Sequence, residues 1–127
     1  MHGPIGTKLA LAIAIAMALA GCGRQERQVK FASDVKPVLD RACLECHEDG
    51  KAGYEASGLS VASYDALMTG TRFGPVVLPG DPESSVLVQL IEGRADPSIK
   101  MPHGSESLYE GEIETIRLWV SQGAPNN

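Results

Sequence analysis

The stretch Cys43-Leu44-Glu45-Cys46-His47 decides the interpretation of this sequence. Two thiols three positions apart lie on neighbouring sides of one helical turn, so both can reach the same flat ligand. A histidine directly after the second cysteine can place an imidazole nitrogen over the face of that ligand. This spacing is the attachment pattern of c-type haem, in which each thiol forms a thioether with a vinyl group. The sequence therefore predicts covalent haem at Cys43 and Cys46, with His47 as one axial ligand of the iron.

Three other interpretations of these residues have less support. A redox dithiol of the thioredoxin type would need a strand–helix–strand context, which the flanking residues do not offer. A structural disulfide between Cys43 and Cys46 would leave His47 without a role. A zinc site would use the same three side chains and His103, but structural zinc sites usually space their histidines more widely from their cysteines.

The composition favours one small acidic domain. The chain has 127 residues, a formal net charge of −5 and only 5% aromatic residues. If residues 1–21 are removed, Lys8 is lost, and 10 basic and 16 acidic residues remain. A chain of this charge lacks the basic face that nucleic-acid binding requires. We expect instead a redox partner protein with a basic docking face, and a haem that supplies missing apolar bulk.

The N-terminal segment, residues 1–21, has the features of a secretory signal. Residues 9–20 form an unbroken apolar run of 12 residues. This is shorter than the roughly 20 residues that span a membrane, but it suits the apolar region of a signal peptide. The run ends in Leu19-Ala20-Gly21-Cys22, which resembles the lipobox of bacterial lipoproteins. The resemblance implies cleavage before Cys22 and a lipid on its thiol. Ordinary cleavage that leaves Cys22 free is the alternative.

The remaining chain is predicted to divide into two parts. Residues 22–30 are polar and charged, without apolar periodicity, and are expected to form a tether after the lipidated cysteine. Residues 31–127 are expected to form the haem domain. The protein would then be exported and held by its lipid on the periplasmic side of a bacterial membrane.

Apolar residues recur at helical spacing in four segments of the domain. We predict helices over residues 31–42 and 63–69, from a cap at Asp81 to Gly93, and from a capping box at residues 107–110 to Gly123. Residues 48–57, 71–80 and 94–105 are predicted to be loops. No convincing pair of strands is present. The predicted fold is therefore all-α: a small helical domain wrapped around one covalent haem.

Further expectations concern individual residues of these segments. The first helix should be capped by Ser33 or Asp34 and the second by Ser63. The last helix should bury a stripe that includes Tyr109, with Trp119 beside it. In the loop before Asp81, the apolar residues 76–78 could line the porphyrin.

The second axial position of the iron has two candidate ligands. Met101 precedes a proline, which restricts it to an extended conformation and can project its sulfur from a stiff loop. A thioether ligand favours reduced iron and raises the reduction potential. Core packing is the alternative role for a methionine, and Met68 fits that role better. His103 is the rival ligand, and Arg72 could either pair with a haem propionate or be solvated.

Several motifs follow one another in the order found in one cytochrome family. They are a helix ending in the cysteine motif, the segments Gly58-Leu59-Ser60-Val61 and Pro79-Gly80-Asp81-Pro82, then Lys100-Met101-Pro102, and a final helix with Trp119 and Gly123-Ala124-Pro125. Residues 31–125 thus resemble class I c-type cytochromes, and most closely the planctomycete-type cytochrome c module. The resemblance implies thioethers at Cys43 and Cys46, His47 as proximal ligand and Met101 as distal ligand. His103 departs from the family, where a second proline is common.

The predicted function is electron transfer by a membrane-anchored carrier with one haem c. The sequence contains no evident acid/base pair or nucleophile constellation, so we expect no enzymatic site. Two alternatives stay open. If Met101 is displaceable, the haem could sense or transform a gas or peroxide. The protein could also be the electron-entry subunit of a membrane redox complex.

Overall fold

The computed structural model describes residues 26–127, and the predicted signal peptide and Cys22 lie outside them. Five α-helices form in this part of the chain: α1 (Lys36–Ala42), α2 (Ala52–Ser57), α3 (Tyr64–Thr69), α4 (Val86–Ile91) and α5 (Glu110–Ser121). A π-helical turn, Phe31–Val35, leads into α1, and a 3-10 turn, Pro97–Ile99, precedes α5. Residues 26–127 contain no β-strand beyond one isolated bridge. The predicted all-α class is confirmed. No helix among these residues has the length and apolarity to cross a bilayer.

The first predicted helix begins with a wide turn. The backbone N–H of Lys36 donates to the carbonyl of Phe31, five residues earlier. Pro37 has no N–H and its ring would crowd the carbonyl four residues before it, so a wider turn ahead of it relieves the clash. The predicted caps were wrong, because Lys30 occupies the N-cap position. Asp34 accepts from the Lys30 N–H at 2.8 Å from inside the turn.

The other predicted caps had mixed outcomes. Ser63 caps α3 as predicted and accepts from the Ala66 N–H at 3.1 Å. The carboxylate of Asp81 instead closes its own turn, and α4 begins only at Val86. The chain turns there because the buried Ser85 hydroxyl donates to the Asp81 carbonyl at 2.7 Å.

The last helix begins two residues later than the predicted capping box implies. Its N-cap is Tyr109, whose N–H donates to the Glu112 carboxylate at 2.9 Å. The predicted burial of Tyr109 was wrong, because its side chain is 63% exposed and lies under Arg41. Ile116, Trp119 and Val120 are buried as the periodicity predicted.

Three aromatic rings form the centre of the core. The Phe31 ring lies 5.2 Å from the Tyr64 ring and 5.5 Å from the Trp119 ring, between centroids. The polar atoms of this cluster are satisfied by the chain end. The Tyr64 hydroxyl donates to the Ala124 carbonyl at 2.8 Å, and the Trp119 indole donates to the Pro125 carbonyl at 3.0 Å. The cluster thus joins the start of the domain, α3 and α5.

The two ends of the domain are bonded to each other. Val29 is fully buried, and its N–H donates to the Gln122 side chain at 2.9 Å. The Gln122 amide donates in turn to the Arg27 carbonyl at 2.9 Å. Asn127 accepts from the backbone of Phe31 at 2.8 Å and of Ala32 at 2.9 Å. We call residues 27–32 and 122–127 the terminal clasp. It includes the last four residues of the predicted tether.

A four-residue ion cluster ties α4 and α5 to the turn before α4. Arg117 pairs with Glu92 at 2.9 Å and with Glu83, and Arg94 pairs with Glu83 at 3.3 Å and with Glu92. The hydrogen bond from Arg117 is the main cause that lowers the pKa of Glu83. The cluster is partly exposed to solvent, so we expect a modest contribution to stability that weakens at high salt.

Truncating Trp119 should destabilise the fold far more than truncating an exposed aromatic residue. Trp119→Ala removes the buried ring at the centre of the core and should lower the free energy of unfolding by about 3–5 kcal/mol. Phe73→Ala is the matched control, because Phe73 is 85% exposed and should change stability by at most about 0.5 kcal/mol. Guanidinium unfolding of the holoprotein measures both. Equal effects would contradict the proposed core.

The ion cluster predicts a contribution to stability that is lost in acid. The pKa of Glu83 is lowered in the folded state, so its contribution is present above the ordinary glutamate pKa of 4.5 and disappears as pH falls through the lowered folded pKa. Glu83→Gln should therefore lower the unfolding midpoint at pH 7 and have a smaller effect at pH 3. Glu114→Gln is the control, since Glu114 lies on α5 but joins no ion pair of the described residues. A Glu83→Gln effect that is independent of pH would contradict this origin.

Candidate functional site

A largely apolar cavity of about 420 Å³ lies beside the cysteine motif. This volume falls within the roughly 300–1,000 Å³ of ordinary ligand and cofactor pockets. The wall includes every candidate iron or thioether residue that the sequence predicts in the described part of the chain: Cys43, Cys46, His47, Met101 and His103. The fold therefore brings together residues up to 60 positions apart in the sequence. Cys22, the predicted lipidation site, lies outside the described residues.

The cysteine motif forms a turn that continues directly from α1. The N–H of Cys43 donates to the Leu39 carbonyl, and the N–H of His47 donates to the Cys43 carbonyl, both at 2.9 Å. Cys43 is half-buried, Cys46 is exposed, and both thiols are free. Cys43 and Cys46 are therefore not joined by a disulfide in this structure. The zinc arrangement is not formed either, because residues 26–127 gather no three His, Cys, Asp or Glu side chains suited to a metal.

Burial sets the protonation states of the motif. It raises the pKa of the Cys43 thiol to about 11, so this group is protonated at neutral pH. A dithiol nucleophile of the thioredoxin type needs a lowered pKa, which argues against that interpretation. Burial also lowers the pKa of His47, although the Leu59 backbone partly opposes the shift. The imidazole is then neutral at pH 7, which is the form that binds a metal.

One nitrogen of His47 is buried without a hydrogen-bond partner. This atom is Nδ1; the nearby Leu59 backbone influences the pKa of the ring but does not meet hydrogen-bond geometry with it. An unsatisfied buried nitrogen in a native fold needs an explanation. A metal-bound imidazole usually donates its second N–H to a carbonyl, and a small rotation of the ring toward Leu59 would complete that bond. His47 thus has the environment expected of an axial ligand.

Helix α2 is the element that the sequence analysis missed, because residues 48–57 were predicted to be a loop. The helix carries no buried residue, and it presents Ala52, Gly53, Ala56 and Ser57 to the cavity. Its inner face carries only small residues, so no apolar periodicity marks it in the sequence. The spacing of small residues at 52, 53 and 56 is the signal that could have identified it.

Gly53 allows α2 to lie directly on the cysteine motif. A Cβ atom at this position would come within 2.7 Å of the Cys46 carbonyl oxygen and 2.9 Å of His47 Cε1. The adjacent Tyr54 N–H donates to the same Cys46 carbonyl at 3.0 Å. The close approach fixes the backbone that carries the two predicted functional residues. Gly53 is a site residue that sequence reasoning did not identify.

The apolar residues of the remaining wall come from three separate segments. They are Leu59, Val61, Val76, and Val86, Leu87, Leu90 and Ile91 of α4. The expectation for residues 76–78 was correct only for Val76. Val77 is buried in the core, and Leu78 is exposed.

Both candidate distal ligands lie on the loop that follows α4. The N–H of Met101 donates to the Leu90 carbonyl at 3.2 Å, which ties this loop to a helix of the cavity wall. Met101 is half-buried and His103 is exposed. Met68 packs against the hydrophobic core, as Met101 also does, but Met68 does not line the cavity. Arg72 donates to the Glu55 carbonyl at 2.7 Å, near the end of α2, and its pairing with a propionate stays a prediction.

Comparison with known families agrees with this geometry. Residues 43–113 match the family model described as Planctomycete cytochrome C, which covers more than half of the chain. The chain belongs to the planctomycete cytochrome c family. Cytochromes c are electron carriers that bind haem c covalently and are typically exported. No curated protein and no solved structure matches the chain.

The residues of the cavity fit the haem that the planctomycete cytochrome c family implies. The donor set combines two free thiols, an imidazole held neutral by burial, and a thioether, which are the groups that attach haem c and bind its iron. The wall is apolar, as a porphyrin requires. Gly53 lets α2 lie directly on the cysteine motif, and its small neighbours Ala52 and Ala56 line the cavity without long side chains.

A methyl group at Gly53 should disturb the site, whereas the same change elsewhere should not. Gly53→Ala would force apart α2 and the cysteine motif, so we expect lower stability and a smaller fraction of haem-loaded protein. Gly111→Ala is the matched control, because Gly111 is also helical and its Cβ would meet nothing within 4 Å. That variant should gain about 0.5–1 kcal/mol from helix propensity. Haem content per chain and guanidinium unfolding measure both variants, and a neutral Gly53→Ala would contradict the role of close packing.

Proposed function

We propose that the protein is a membrane-anchored c-type cytochrome that uses one haem to transfer electrons between redox partners outside the cytoplasm. The observation that carries this proposal is the shared cavity, whose wall contains Cys43, Cys46, His47 and Met101. Membership in the planctomycete cytochrome c family supports the carrier role. The lipobox-like residues that end in Cys22 support the anchor.

Each of the four residues has a separate task in this proposal. Cys43 and Cys46 hold the cofactor through thioethers, which resist ordinary reduction. His47 and Met101 would bind the iron. When bound, haem supplies one-electron chemistry, and the methionine sulfur shifts its potential upward. Because the residues that hold the iron need not change with its oxidation state, little structural rearrangement accompanies transfer.

The apolar wall completes the electron-transfer site. Leu59, Val61 and the residues of α4 give the cavity an apolar lining, which would keep water away from a bound haem. A dry, rigid surrounding limits the solvent reorganisation that accompanies a change in charge, and it also tunes the potential. No side chain is required to transfer a proton or to form a bond with a substrate. The arrangement therefore favours electron transfer over catalysis.

The charges next to the cysteine motif support a basic partner. Glu45, Glu48 and Asp49 are exposed, and none of them forms an ion pair with a described residue. The ion pairs of the described chain involve other residues, in the first helical segment, in α5, in the turns on either side of α4 and at Arg27. Unpaired charges beside a redox centre can steer an oppositely charged protein toward it. We therefore propose a redox partner with a basic docking face.

A second candidate function is a haem-based sensor or catalyst with a displaceable ligand. It is favoured by the position of Met101, half-buried on a loop whose regular structure is a single 3-10 turn. It is also favoured by His103, which lines the same cavity and could replace the methionine. An electron-entry subunit of a membrane complex would have the same site and would co-purify with a stoichiometric partner.

The ligand set can be tested with a pair of methionine variants. The ferric holoprotein should show the weak far-red absorption band of sulfur-ligated iron. Met101→Ala should abolish this band and lower the reduction potential by on the order of 0.1 V, a fraction of the roughly 0.8 V range that axial ligands span. Met68→Ala is the matched control, because Met68 packs on the core outside the cavity, and it should keep the band.

The same measurements separate the two candidate functions. A band that survives in Met101→Ala would contradict ligation by this methionine. A wild-type protein without the band, whose ferrous form binds carbon monoxide readily, would overturn the carrier proposal in favour of an open iron site. His103→Ala should leave the wild-type band unchanged. If His103→Ala instead makes the band appear, His103 is the resting ligand.

A further inference from the structure

The terminal clasp limits how far the domain can move from a lipid anchor. This step rests on the proposed lipidation of Cys22. The first residue bonded to the domain is Arg27, whose carbonyl accepts from Gln122 at 2.9 Å. The five peptide steps from Cys22 to Arg27 span at most about 18 Å when fully extended. The complete burial of Val29 keeps the segment after Arg27 from adding to that length. The clasp must therefore stay close to the bilayer surface.

The clasp and the cysteine motif lie at opposite ends of one helical segment. The π-helical turn begins at Phe31, inside the clasp, and α1 ends at Ala42, next to Cys43. The eleven steps between Phe31 and Ala42, at about 1.5 Å each, give a spacer of roughly 16 Å. No clasp residue lines the cavity. The redox site is therefore separated from the anchored end by the roughly 16 Å of this helical segment.

The charge distribution favours one orientation of this spacer. Residues 23–40 carry four basic and three acidic side chains, a net charge of +1, while residues 41–127 carry six basic and thirteen acidic ones, a net charge of −7. Basic residues beside a lipid anchor are attracted to anionic lipid, and acidic surfaces are repelled by it. The short tether and the charge asymmetry are independent observations that favour the same arrangement.

We propose that the terminal clasp rests against the bilayer surface and holds the haem-motif end of the domain away from it. The redox site would then meet a protein surface above the membrane, and the exposed carboxylates beside the motif would face that protein. A redox molecule dissolved in the lipid would lie beyond contact with the cavity. The partner class is therefore a water-soluble protein or the extramembrane domain of a membrane protein.

Photo-crosslinking to lipid tests this orientation in the full-length holoprotein. Benzoylphenylalanine is incorporated in place of Ser121, beside the clasp, or in place of Asp49, beside the cysteine motif; both residues are exposed. The lipidated proteins are placed in vesicles that contain anionic lipid, irradiated, and analysed for lipid adducts by mass spectrometry. Position 121 should yield several-fold more lipid adducts than position 49. Equal yields, or a larger yield at position 49, would overturn the proposed orientation.

Two further variants test whether the clasp and the short tether cause the difference. A flexible insertion of twenty Gly and Ser residues between Gly23 and Arg24 should reduce the adducts at position 121, as should Gln122→Ala, which removes the side chain bonded to Arg27 and Val29. Unchanged adducts in both variants would overturn the mechanism. Intact-mass analysis separates this inference from the proposed function. A chain without lipid on Cys22 overturns the anchor and the orientation together, whereas a lipidated chain with equal adducts overturns the orientation alone.

Discussion

The contact between α2 and the cysteine motif is the constraint on which the site depends. α2 is six residues long, has no buried side chain, and touches the motif where Gly53 leaves no room for a Cβ atom. An isolated helix of this length is unstable in water, so it must gain its stability from tertiary contacts. α2 contacts the backbone of Cys46 at Gly53, and it also lines the cavity. A bound porphyrin would therefore complete the packing of α2 as well as supply the redox chemistry.

The domain thus has two apolar centres, a cluster of packed side chains and the wall of a cavity. The first is made of side chains alone, with Phe31, Tyr64 and Trp119 packed against each other and capped by the chain end. The second is the cavity wall, whose centre has no side chain of its own. A chain with few aromatic residues has few large apolar side chains with which to build a core. A bound cofactor would supply part of the missing apolar volume. The π-helical turn and α1 join the two centres, because the turn begins at Phe31 and α1 ends next to the cysteine motif.

The sequence predicts well the helices that pack against apolar side chains or are capped by a residue at their own end. Leu67 on α3 and Ile116 on α5 follow helical periodicity because apolar neighbours cover them, and Ser63 caps its own helix through a contact three residues away. α2 was missed because the residues that it presents to the cavity are small, so the sequence shows no apolar periodicity there. The start of α4 was misplaced because Ser85 bonds to residues of the preceding loop, which is a tertiary choice that local patterns do not encode.

The candidate site likewise combines a part that local sequence determines with a part that depends on tertiary contacts. The motif at Cys43–His47 is local and could be predicted, whereas the loop that carries Met101 owes its position to a backbone bond with Leu90 on α4. Ion pairs fasten the helices on the side-chain core, where fixed geometry is useful. Beside the motif, Glu45 and Glu48 stay solvated and unpaired with the described residues. A carboxylate that already has a partner attracts a docking protein less than one that has none. Under the proposed function, these unpaired carboxylates would attract a basic redox partner to the part of the domain where electrons leave or enter.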